Sequence, residues 1–401
     1  MFSHRFLLVV CLVLTWVAAA RAEVMLGIDV LEANGFDFLQ GKRVGLITNQ
    51  TGVNSNGVKT RKILHNAKGV KLVSLFSPEH GLDGTEKAGK YVASKTDALT
   101  GLPAHSLYGP TRKPSAAMLK GIDTLVFDMQ DIGSRTYTYI STMGKCMQAA
   151  AEAGIDFVVL DRPNPLGGNR VEGPGIEKEW ISFVGQFPVP YVHGLTTGEL
   201  AQMSNARGWM GSKCNLKVVK MRGWNRSMTW PDTGLRWVQT SPNIPRATSP
   251  FYYVLTGLIG ELNPAELGIN TSEPFEIIAA KWIDAEEFST VLNRLDTPGV
   301  KFSPVSDFRG ANGVRIRIEP NNRTDLCALS MHMLAYMNKT AGTPNIFARS
   351  NAGAVDLFYK SCGSKAIRRQ IEAGMEPEAI AATWEPSLRK FRSEREKYLL
   401  Y

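Results

Sequence analysis

The chain has 401 residues, 44% of them hydrophobic, and a formal net charge of +9. That apolar content supports a buried core and excludes a disordered chain. Its Lys and Arg residues are scattered rather than gathered into a basic block interleaved with aromatics. This excludes nucleic acid as the partner and leaves a mild positive field, suited to an anionic polymer or simply to solubility.

Residues 1–22, MFSHRFLLVVCLVLTWVAAARA, place His4 and Arg5 before an apolar run that ends in Ala20-Arg21-Ala22. The run is short for a span of about 20 residues, and the A-x-A ending fits a cleaved secretory leader with Glu23 as the first mature residue. A secreted or periplasmic protein is therefore expected, without stable membrane insertion after cleavage. The remaining residues, 23–401, suggest two domains, placed at 23–270 and 271–401. Cys146, Cys214, Cys327 and Cys362 lie far apart with no C-x-x-C, so a zinc site is not expected. Four cysteines allow three full disulfide pairings, and buried free thiols are the other reading.

Along the mature chain, KRVGLITNQTG (42–52) reads as a strand and turn, VKTRKILHNA (58–67) as a helix, and VKLVSLFSPEHG (70–81) as a second strand. IDTLVFDMQDIG (122–133) is a third strand, and YISTMGKCMQAAAEAG (139–154) a helix ended by glycine. IDFVVLDRPNPLGG (155–168) is a fourth strand. The strands are continuous apolar runs rather than alternating ones, which indicates burial on both faces and a parallel sheet. With helices between them, this predicts an α/β doubly wound domain. Residues 224–270, rich in Pro, Trp, Tyr and Asn, read as long surface loops. PFEIIAAKWIDAEEFSTVLNRL resumes strand then helix, GVRIRIEPNN alternates as a half-exposed strand, and the remainder to Tyr401 is helical, giving a smaller C-terminal α/β domain.

Open parallel sheets bind ligands beyond the carboxyl ends of their strands. The four strands end in Thr48-Asn49-Gln50, in Ser77-Pro78-Glu79-His80, in Asp128-Met129-Gln130-Asp131 and in Asp161-Arg162-Pro163-Asn164-Pro165. Arg135, Tyr137 and Tyr139 follow the third. Parallel neighbours would gather these polar groups on one crevice. No G-x-G-x-x-G follows the first strand and no G-x-x-x-x-G-K-[ST] occurs, so no nucleotide cofactor is expected. The histidines lack zincin spacing, so no metal is expected, and no G-x-S-x-G elbow is present. Carboxylates remain. Glu79 and Glu172, the latter in VEGPG, are candidates for the acid and base that glycoside cleavage requires. Each has a structural reading as well, as a cap or loop anchor. Asn49, Gln130 and Asn164 offer hydrogen bonds to sugar hydroxyls, and Tyr108, Tyr137, Tyr139 or Trp180 an aromatic face. Asp128 and Asp131 either serve the cleft or cap the next helix. Arg135 and Arg162 either pair with those aspartates or hold a substrate carboxylate. His80 is a cleft residue or a loop anchor, and His193 is read as loop packing.

GLITNQTGV, LFSPEHGLDG, SLYGPTRKPSAAMLKGIDTLVFDMQDIGSRTYTYISTM, VVLDRPNPLGG, VEGP, SPNIP and the C-terminal AIAATWEPSLRKFRSEREKYLLY together resemble the DUF1343 family. That family includes the exo-acting β-N-acetylmuramidases called NamZ, glycoside hydrolase family 171. The likeness runs from about residue 25 to 401. It implies a Rossmann-like N-terminal domain carrying the active site, a smaller C-terminal domain, and release of N-acetylmuramic acid from the non-reducing ends of peptidoglycan fragments. It also implies a pair of catalytic glutamates, carried over to Glu79 and Glu172. His80, Asp128, Gln130, Arg135, Asp161, Arg162 and Asn164 would bind or orient the glycan. In GELNPAELGINTSEPFE, Ile269 and Glu273 stand where the family pattern has arginines, and Arg246 is a candidate replacement for receiving a sugar carboxylate. A non-catalytic glycan-binding protein and a hydrolase of a different amino-sugar glycoside are the alternative readings.

Overall fold

The structure, a computed structural model, describes residues 24–401; the expected leader lies outside the described residues. Ten strands are present among them. They are β1 (Arg43–Thr48), β2 (Lys71–Ser77), β3 (Lys95–Thr96), β4 (Pro103–Ser106), β5 (Thr124–Asp128), β6 (Asp156–Leu160), β7 (Asn215–Val219), β8 (Ile277–Ala280), β9 (Val300–Phe308) and β10 (Ala311–Ile318).

The first seven form one sheet in the order β3-β4-β2-β1-β5-β6-β7. All its neighbours are parallel except β3 with β4. Counted in chain order without β3, the parallel strands lie 3-2-1-4-5-6, the doubly wound Rossmann arrangement. The four apolar runs read from the sequence are β1, β2, β5 and β6 at the centre of this sheet.

Alternation along each strand feeds two cores. Ile47, Leu125, Phe127, Phe157 and Val159 point to one face, where they pack with Ile140, Met143 and Met147 of the helix Thr138–Ala153. Val44, Leu46, Val126, Val158 and Leu160 point to the other, against Ile28 and Leu31 of the helix Gly27–Ala33 and Leu64 of the helix Thr60–Asn66. Each such side chain contributes about 1.5–3 kcal/mol on burial. Removing the Phe157 ring, fully buried on one face of the sheet, would cost about 3–5 kcal/mol.

The second sheet is antiparallel, β8-β10-β9, with the helix Ala285–Asn293 packed on it. The helix Ser249–Gly260 packs against the helices Leu326–Ala341 and Ala352–Cys362. One hydrophobic cluster runs from Ile47 through Leu255 to Phe391, so both parts share an apolar core.

Two local readings are corrected. SPFYYVLTGLIG, expected within a loop region, is the helix Ser249–Gly260. Pro250 sits in its first turn, which suits its fixed φ, and the helix is apolar nearly all round because it is buried nearly all round. A helix of that kind shows no amphipathic period to read. β7 was also missed: NLKVV is an edge strand with half-exposed positions, too short and too polar to announce itself.

The four cysteines of residues 24–401 are buried free thiols. Among the described residues no helix is long and apolar enough to cross a membrane.

Candidate active site

A cavity of about 430 Å³ opens where the carboxyl side of the large sheet meets the helices of the C-terminal half. The sheet side supplies Glu79 and His80 after β2, and Thr136, Tyr137 and Thr138 after β5. The other side supplies Tyr253 and Glu261 from the helix Ser249–Gly260 and its cap, Phe275, and Leu357 and Ser361 from the helix Ala352–Cys362.

The LFSPEHG stretch explains how Glu79 is delivered. β2 ends at Ser77, and the chain reverses through His80 and Gly81 with φ of 67° and 77°. Glycine takes that conformation freely; histidine does so at a cost of about 1–3 kcal/mol, strain of the kind concentrated at functional sites. The His80 Nδ1–H donates to the Glu86 carbonyl at 2.6 Å, which holds the following loop against the turn. That loop returns Gly89, whose N–H donates to Glu79 Oε1 at 2.8 Å. Glu79 Oε2 accepts from the Thr138 hydroxyl at 2.6 Å, in the first turn of the 16-residue helix Thr138–Ala153. The positive end of that helix thus faces the Glu79 carboxylate.

Glu261 sits at the opposite kind of helix end. It caps the C-terminus of Ser249–Gly260, where the backbone carbonyls concentrate negative partial charge. Burial pushes its carboxyl up to about 7 even though it accepts from the Ser361 hydroxyl at 3.1 Å. Ser361 is in turn fixed by Arg135, which donates to its carbonyl at 2.9 Å. Thr136 and Tyr253 share a hydrogen bond of 3.0 Å that ties the β5 loop to the same helix. The two acidic side chains of the cavity therefore have environments of opposite sense. One is surrounded by donors at a helix N-terminus, the other is pushed up to about 7 by burial at a helix C-terminus. Such a split sets up an acid and a base.

Of the residues singled out from sequence, Glu79, His80 and Tyr137 line this cavity, as does Tyr108. The other strand ends form a buried frame behind it. Asp128 and Arg162 are ion-paired at 2.6 Å, 0% and 2% exposed, the internal pairing left open above. Asp161 accepts from Thr196, the Gly198 N–H and Tyr401, and burial pushes it up to about 6. Asn49 accepts from Thr51 through its side chain, Gln130 donates to the Asp131 and Pro163 carbonyls, and Asn164 donates to the Leu195 carbonyl. Arg135 gives its guanidinium to the carbonyls of Pro174, Val189 and Ser361. Gln130 and Arg162 also line a separate small cavity with Trp230 and Leu235. Tyr139 donates to the Thr240 carbonyl behind the site, Trp180 lines another groove, and His193 is buried with its ring held neutral.

Glu172 is placed elsewhere. It lines a different cavity, where its carboxyl meets Arg170 and the Leu326 N–H, and burial pushes it up to about 7. Arg246 is engaged by Glu276 and the Ser272 carbonyl. Glu261, Tyr253 and Phe275 escaped the sequence reading because they come from the buried helix taken as loop and from the segment after it. The signal available was a lone acid, Glu261, terminating an otherwise apolar dodecamer.

Models of the exo-β-N-acetylmuramidase NamZ family match nearly the whole described chain: the N-terminal one residues 44–248, the C-terminal one residues 251–401. The chain is 42% identical over 391 residues to the peptidoglycan β-N-acetylmuramidase NamZ of Bacillus subtilis, covering 96% of this chain and 92% of that one. Two solved DUF1343 family structures from Bacteroides fragilis are similar. One superposes with a TM-score of 0.88 at 42% identity, covering 95% of this chain and 100% of the other; the second has a TM-score of 0.73 at 28% identity, covering 95% and 99%.

Proposed function

The chain belongs to the exo-β-N-acetylmuramidase NamZ family, and from that premise we propose that it removes N-acetylmuramic acid from non-reducing ends of peptidoglycan fragments, in the cavity that holds Glu79. It is a glycoside hydrolase, and its chemistry needs one carboxyl to protonate the departing oxygen and another, ionised, to act as base or nucleophile. The observation that carries the assignment is the opposed setting of two acids on one cavity. Glu261, whose carboxyl burial pushes up to about 7, is the acid; Glu79, held by the Thr138 hydroxyl and the Gly89 N–H at a helix N-terminus, is its partner as base or nucleophile. Glu261 takes the place that Glu172 held in the sequence reading, because Glu172 lines another cavity. Tyr137, Tyr253 and Phe275 form a connected aromatic wall, with ring centroids 6.1 and 5.1 Å apart, against which a sugar ring can lie. Ser241 and Asn243 add polar atoms for its hydroxyls.

We also propose export, since peptidoglycan lies outside the cell membrane and the leader-like residues 1–22 suit secretion or delivery to a periplasm. The test is product analysis on a disaccharide of N-acetylmuramic acid and N-acetylglucosamine. Wild type should release both monosaccharides, and Glu79→Gln, with an unchanged melting temperature, should release neither. An intact disaccharide after prolonged incubation with wild type overturns the reading.

A further inference from the structure

The proposed substrate carries a lactyl carboxylate that N-acetylglucosamine lacks, and the cavity offers it no cation. Its lining includes two acids, Glu79 and Glu261, and no Lys or Arg. A carboxylate entering between two carboxyl groups needs a positive partner to offset repulsion. Lys87 and Lys90, exposed beside the lining residues Ala88 and Gly89, are point charges without a planar fork, and four arginines are already engaged. Arg246 faces Glu276, Arg315 holds Glu273 at 2.8 Å, Arg309 reaches the Ile269 carbonyl at 3.0 Å, and Arg135 is closed by three backbone carbonyls.

Arg112 is different. Its guanidinium stacks 3.7 Å from the centroid of Tyr108 and 4.3 Å from that of Phe183. Tyr108 lines the cavity, and Phe183 precedes Val184, which also lines it. Among the described residues Arg112 has no carboxylate partner, and its buried Nη1 has no hydrogen-bond partner. The Tyr108 phenol lies within the influence of both the Glu79 carboxylate and the Arg112 guanidinium. The charge therefore sits at the same rim as Glu79. An arginine clamped between two rings has lost its rotamer freedom in advance, and its planar fork matches a carboxylate with two parallel N–H···O bonds. We propose that Arg112 receives the substrate's carboxylate and sets the preference for an acidic amino sugar over its neutral parent. This rests on the proposed function for the choice of sugar. It replaces both Arg246 and the missing arginines at 269 and 273 as the site of acid recognition.

The experiment is calorimetric titration of wild type, Arg112→Met and Arg112→Lys with three probes: N-acetylmuramic acid, its methyl ester and N-acetylglucosamine. Wild type should bind the acid about ten-fold or more tightly than either neutral sugar, the scale of one charge-assisted hydrogen-bonded pair. Arg112→Met should lose that preference while binding N-acetylglucosamine as before, and Arg112→Lys should keep part of it because a point charge remains without the fork. Arg112→Met with the preference intact, or wild type binding ester and acid alike, overturns the proposal. The ester comparison needs no variant and so stands even if Arg112→Met fails to fold. Failure of the enzyme to split the disaccharide would sink the proposed function instead, which this binding assay does not measure.

Discussion

Glu261→Gln is the substitution that discriminates most sharply. The amide keeps an oxygen to accept from the Ser361 hydroxyl, so the packing of the helix end is preserved while the transferable proton is removed. In the folded protein this carboxyl is pushed from 4.5 to about 7. At pH 6 about nine in ten molecules would then carry the proton, against about one in thirty for an unperturbed glutamate. General acid assistance is worth about 10²–10⁴-fold, or about 3–5.5 kcal/mol of barrier at 1.36 kcal/mol per decade. The variant should lose that factor on the natural disaccharide, whose leaving alcohol needs protonation. On a dinitrophenyl muraminide, whose leaving group departs as a stable anion, the loss should be much smaller. The wild-type profile of kcat/KM should also fall as pH rises through about 7, and this limb should vanish in the variant. The stability sign is independent of catalysis. A carboxyl raised in the folded state contributes most below pH 4.5 and loses that contribution as pH rises to about 7. Glu261→Gln should therefore gain in melting temperature relative to wild type over that interval. Disaccharide turnover within a few-fold of wild type, or a basic limb unchanged in the variant, would refute the assignment.

Glu172→Gln should leave turnover close to wild type and lower the melting temperature. Its new N–H₂ would face either the Leu326 N–H or Arg170, both donors, at a cost of about 1–3 kcal/mol; thermal melts beside disaccharide assays check both halves. Asp128→Asn should be far more damaging to the fold. It strips the charge from a pair 0% and 2% exposed, leaving Arg162 uncompensated at a cost of about 3–5 kcal/mol, readable as a shifted urea midpoint. Activity in that variant should follow the folded fraction, since Asp128 does not line the cavity that holds Glu79.

The central sheet was legible because its strands are buried on both faces, and such strands must be apolar throughout. KRVGLIT, VKLVSLF, IDTLVF and IDFVVL announce β1, β2, β5 and β6 with no help from packing. The Glu79-His80 turn at the carboxyl end of β2 was legible too, since the apolar run stops abruptly at Pro78. What one strand presents, however, does not fix which polar tips share a cavity. Asp128, Arg162 and Asp161 sit at strand ends as expected, yet they satisfy one another and their neighbours in the interior rather than facing a ligand.

By itself, then, the order of apolar runs determined a doubly wound parallel sheet and put Glu79 at the carboxyl edge of that sheet, because period and burial are local properties of a strand. Only the tertiary structure decided which acid shares a cavity with Glu79. A buried helix without an amphipathic period brings Glu261 from more than a hundred residues away to the opposite side of the same cavity, while Glu172, closer in sequence, is turned into a different cavity. Burial then raises the Glu261 carboxyl, while Glu79 is set among donors at a helix N-terminus.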